Sequence, residues 1–145
     1  MAEQENFDYG PVEIFTVEFP GEAPSPGVLE SLARLESTGT VRLLDMVLAG
    51  RAADGSLRIS ELTKDDAAAA GLAPALPGLI GEEDATEAAQ GMPEGTGVAL
   101  VALELSWATE LAGNVAAANG TVTDSIRIPA PIVNGFINEF GQADA

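Results

Sequence analysis

The feature that most constrains this chain is a pattern that occurs twice: a strand-like apolar run, a capped helix, a Gly-Thr-Val and a second strand-like run. Gly39-Thr40-Val41 and Gly120-Thr121-Val122 stand 81 residues apart, each after a helix-like segment. A strand, a helix and a second strand of the same sheet form a crossover unit, and two such units interleave as a ferredoxin-like sandwich. The expected fold is therefore α+β: a ferredoxin-like sandwich of two β-α-β units, its five-stranded sheet including an extra hairpin strand, with a C-terminal helix. The first and fourth strands are expected at the centre, flanked by the fifth and second, with the third outside the second.

The local signals supply these elements. Val12 to Phe19 alternates Phe15, Val17 and Phe19 with Val12, Ile14, Thr16 and Glu18, and Pro20-Gly21 ends it. A strand apolar on both faces is expected inside the sheet. Ser25 as N-cap, Pro26 at the first helical position and Gly39 after the end delimit a helix. Val41 to Ala49 and Leu57 to Leu62 read as a hairpin turning at Asp54-Gly55. Two short helices follow, from Thr63 and from Glu82, separated by Pro74 and Pro77. Val98 to Leu105 is the fourth strand, Ser106 caps a helix ending at Asn119-Gly120, and Val122 to Ile128 is the expected fifth strand. Pro129 opens a last helix on which Ile132, Phe136 and Phe140, with Val133 and Ile137 beside them, form one stripe. Residues 11–140 are expected to make a single domain between flexible tails, 1–10 and 141–145.

Composition narrows the chemistry. The chain has neither cysteine nor histidine, which removes thiolate nucleophiles, disulfides, the near-neutral acid-base group and the commonest transition-metal ligand. Its formal charge is -17, and no basic residue occurs between Lys64 and Arg127, so nucleic acid and anionic membrane surfaces meet repulsion. The apolar run from Gly71 to Gly81 is about half the roughly 20 residues of a spanning helix. The polar, acidic start Met1-Ala2-Glu3-Gln4-Glu5-Asn6 lacks the basic and apolar regions of a secretory signal, which favours the cytoplasm.

Candidate sites reduce to a few carboxylates. Glu82, Glu83, Asp84 and Glu87 suggest hard-cation ligands, but they fall in a first helical turn, where acids already interact with the dipole, and no calcium-loop pattern is present. Glu18 and Glu104, late in two expected neighbouring strands, form a possible carboxylate pair, or simply mark where those strands emerge into water. Asp45 interrupts an apolar strand and calls for exposure or an arginine partner among Arg42, Arg58 and Arg127. Trp107 either anchors a partner or covers a core end. No phosphate-cradling loop occurs, so neither cofactor nor metal is expected.

Gly10-Pro11-Val12-Glu13, Phe19-Pro20-Gly21, Leu43-Leu44-Asp45, Glu82-Glu83-Asp84, Pro93 to Gly95, Trp107-Ala108 and Arg127-Ile128-Pro129 follow one another in an order that resembles an uncharacterised bacterial domain-of-unknown-function family. More distantly, the layout is similar to a glycine-rich, membrane-associated family of unknown function whose long apolar segment is reduced here to Gly71 to Gly81. Neither resemblance implies a catalytic residue. The expectation is a non-enzymatic protein that self-associates or binds a protein partner through Val12, Ile14, Val98, Leu100, Trp107, Ile132, Phe136 and Phe140. The alternatives are a small-molecule binder or enzyme using carboxylates on the open sheet face and, after it, a peripheral membrane protein.

Overall fold

The computed structural model describes residues 10–21, 26–62, 64–69 and 71–140. The elements are β1 (Val12–Pro20), α1 (Pro26–Ser37), β2 (Arg42–Arg51), β3 (Leu57–Glu61), α2 (Lys64–Ala69), α3 (Glu82–Ala88), β4 (Thr96–Glu104), α4 (Ser106–Ala117) and α5 (Ala130–Phe140). Ser25 and the expected tails, apart from Gly10, lie outside the described residues. The chain divides into two units, Met1–Leu111 and Ala112–Ala145, with the division inside α4.

Among the described residues the sheet has four strands in the order β1-β4-β2-β3, and every neighbouring pair is antiparallel. β1 and β2 therefore run the same way with β4 between them, joined through α1. The expected five-stranded sandwich of two β-α-β units does not form, because residues 121–129 have no regular structure and are exposed throughout. β1 is consequently an edge strand rather than a central one. Val122, Ile126 and Ile128 do carry a strand-compatible pattern, but β propensity depends on neighbours and becomes a strand only where a ladder is supplied.

The repeated Gly-Thr-Val is also one residue out of structural register. After α1 the left-handed residue is Gly39 (φ 75), with Thr40 N–H donating to the Leu35 carbonyl (3.0 Å) and Gly39 N–H to that of Glu36 (3.0 Å). After α4 the same pair of bonds runs from Gly120 to Val115 (2.8 Å) and from Asn119 to Ala116 (2.9 Å), with Asn119 left-handed (φ 67). Both helices end in a Schellman motif, so Gly39 corresponds to Asn119 and not to Gly120.

Apolar side chains fill both faces of the sheet. On one, Leu43, Met46, Ala99, Val101 and Leu103 pack with Leu32 of α1, Ala67 of α2 and Leu72. On the other, Leu44, Val47, Val98, Leu100 and Ala102 pack with Ala85 and Ala89 at α3 and with Ile80. A register irregularity between Leu43 and Asp45 lets β2 keep feeding both faces. β3 pairs only with Val47 to Arg51, and the preceding carbonyls are taken by the connecting segments: Ala75 N–H donates to Leu43 (3.1 Å), Leu76 to Leu44 (2.8 Å) and Leu62 to Met46 (3.1 Å). Much of the Gly71 to Gly81 run is thus spent on finishing the sheet, with Leu72 and Ile80 buried.

Candidate functional site

The three carboxylates marked by the sequence are separated. Because β1 and β4 are antiparallel, Glu104 lies opposite Val12 and Glu18 opposite Val98, at the two ends of the ladder. Six residues of strand put them roughly 20 Å apart. Glu18 is exposed, whereas Glu104 is buried and its oxygens are occupied. Oε2 accepts from the Gly10 N–H (2.6 Å), and Oε1 accepts from Arg42 Nε (3.0 Å). Glu104 thereby fastens the start of β1 to the start of β2, a role for Gly10 that polar composition concealed.

Asp45 is 3% exposed, and the expected arginine is not what satisfies it. Oδ1 accepts from the Met46 N–H (2.9 Å) and Oδ2 from the Ile80 N–H (2.8 Å). A carboxylate is well suited to two backbone donors, since each oxygen has lone pairs to offer. Asp45 ties the segment before α3 to the irregularity in β2, which places α3 over β4.

α3 covers β4 and leaves the same face of β1 bare. The result is a groove of about 390 Å³ lined by Ile14, Thr16, Leu100, Ile80, Asp84, Glu87 and Ala88. Leu100 and Ile80 are buried at its floor, while Ile14 is 56% exposed. Asp84 Oδ2 also accepts from the Gly81 N–H (3.1 Å), closing the first turn of α3. Among the described residues, no group of three or more acidic side chains is placed to hold a metal ion.

The expected interaction residues are dispersed. Val98 and Leu100 are core, Val12, Ile14 and Trp107 are exposed, and Ile132 and Phe136 are exposed on α5. Phe140 ends α5, but its side chain lies outside the described residues. Sequence reasoning missed Ile80, Asp84 and Ala88 as partners of Ile14, because only the placement of α3 brings them together. The alternation of Ile14 with Phe15 was the available signal that one side of β1 needs a cover.

This arrangement defines a small α+β protein with an acid-walled apolar groove beside an open sheet edge. The chain belongs to the family of unknown function DUF6325, whose model matches residues 8–144. No curated protein and no solved structure matches it. No helix among the described residues is long and apolar enough to cross a membrane.

Proposed function

We propose that this protein is a non-enzymatic binding module that associates with further copies of itself through its C-terminal unit. The observation that carries this reading is the exposure of Ile126 (82%), Ile132 (62%) and Ile137 (50%), with Ile128 and Val133 alongside. Apolar surface left in water forgoes about 25 cal/mol per Å², and apolar side chains concentrated in one stretch are typical of interaction surfaces.

Charge supports the same choice. Residues 112–145 contain three acids, Asp124, Glu139 and Asp144, and one base, Arg127, so this unit carries -2 of the total -17. A contact made by this unit adds less like-charge repulsion than one made by the first unit. The carboxylate-based small-molecule reading is weaker, since Asp45 and Glu104 already spend their oxygens on backbone and arginine donors.

Light scattering across a concentration series tests the proposal. The parent is expected to show a multiple of the single-chain mass, and Ile126→Ser/Ile132→Ser the mass of one chain. A parent that stays a single chain at every concentration overturns it.

A further inference from the structure

We infer that the groove between α3 and β1 is the seat of α5 from a second copy of the chain, an inference that rests on the self-association proposed above. The groove asks two things of an occupant. Its floor of Leu100, Ile80 and Ala88 asks for apolar side chains, and it is an open depression that receives one face of an element laid on it instead of enclosing a small ligand. Its wall of Asp84 and Glu87, with Glu18 on the same side of β1 as Ile14, repels acidic surfaces. The first unit carries the remaining -15 of the charge, so that part of a second copy is a poor occupant.

α5 meets both demands. Its eleven residues span about 16 Å, and Glu139, near the C-terminal end, is its sole charged residue. Ile132, Val133 and Ile137, with Phe136 on the same stripe, recur at the interval by which amphipathic helices anchor in apolar grooves. The N-terminal end of a helix carries partial positive charge, so entry with Ile132 toward Asp84 and Glu87 is favourable and keeps Glu139 away from them. In a two-fold pair each helix fills the groove of the other copy, which closes the assembly at two chains.

The absence of native cysteine gives a direct test. Full-length Thr16→Cys and full-length Ile132→Cys are mixed and treated with a short bismaleimide, with light scattering on the same samples. A two-chain product joining the two variants is expected. Adding Ile14→Glu to the Thr16→Cys chain places a third carboxylate beside Asp84 and Glu87, and is expected to lower the yield on the order of tenfold. Ile14 is more than half exposed, so this change leaves the fold intact, which a thermal melt checks. A multimeric mass without the mixed product overturns the inference and leaves self-association standing. A single-chain mass removes both. Cross-linking only within one chain of a Thr16→Cys/Ile132→Cys double variant assigns the groove to the chain's own helix and overturns the inference.

Discussion

The two units treat apolar side chains in opposite ways. Among the described residues, the buried core from Leu32 to Leu103 belongs to the first unit, whereas residues 116–139 are exposed throughout. Yet the second unit is the less charged of the two and carries Val122, Ile126, Ile128, Ile132 and Ile137. Amphipathic pattern and burial are therefore separate properties: the pattern states that a surface is available, and packing decides whether it is buried.

The contrast is sharpest between equivalent truncations. Leu43→Ala removes a fully buried side chain and is expected to cost about 2–5 kcal/mol in chemical denaturation, a large share of a small domain's stability. Ile137→Ala, at a half-exposed position, is expected to cost less than about 1 kcal/mol while weakening association. Equal costs would dissolve the distinction between the units.

Asp45→Ala comes next, because it strands the Met46 and Ile80 N–H groups and is expected to cost roughly 2–4 kcal/mol. Asp45→Asn retains one carbonyl oxygen and should lose about half as much. Equal melting temperatures for Asp45→Asn and the parent would show that a single acceptor oxygen is enough. Arg42→Ala takes the counter-charge from the buried Glu104 carboxylate, while the half-exposed arginine itself is partly screened by water, so the expected loss is intermediate, roughly 1–3 kcal/mol. A loss as large as that of Asp45→Ala would place the main fastening of the first unit at Glu104.

The smallest effect belongs to the hairpin turn. Ser56 Oγ and N–H donate to Asp54 Oδ1 (2.6 and 2.9 Å) and hold its carboxyl below the ordinary 3.8. Because the folded value is the lower one, its contribution to stability is fully present above the unfolded value and is lost as pH falls through the folded one. An NMR titration should show Asp54 protonating at lower pH than an ordinary aspartate, and Ser56→Ala should raise the value. No change on that substitution would contradict this origin.

The local elements were legible because their signals are local. Pro26 and Gly39 delimit α1, Asp54-Gly55 turns the hairpin, alternation marks β1, and near-continuous apolar runs mark β2 and β4. The second Gly-Thr-Val was a misleading signal, since a helix cap requires a left-handed residue and Asn119 fills that place. Asp45 was recognisable as a residue needing partners, but their identity was not, because a backbone N–H has no signature in the sequence. The candidate groove was legible only as the bare parity of Ile14.

What the sequence determined by itself is the order of helices and turns, the acidic first unit and the nearly neutral second one, because propensity, capping and charge are properties of neighbouring residues. Only the tertiary structure decided that the first unit's sheet ends at β1, that α3 packs on Val98 and Leu100, and that Asp45 binds Ile80. Each of these pairs groups that are distant in sequence, and which distant groups meet depends on the packing of the whole sheet.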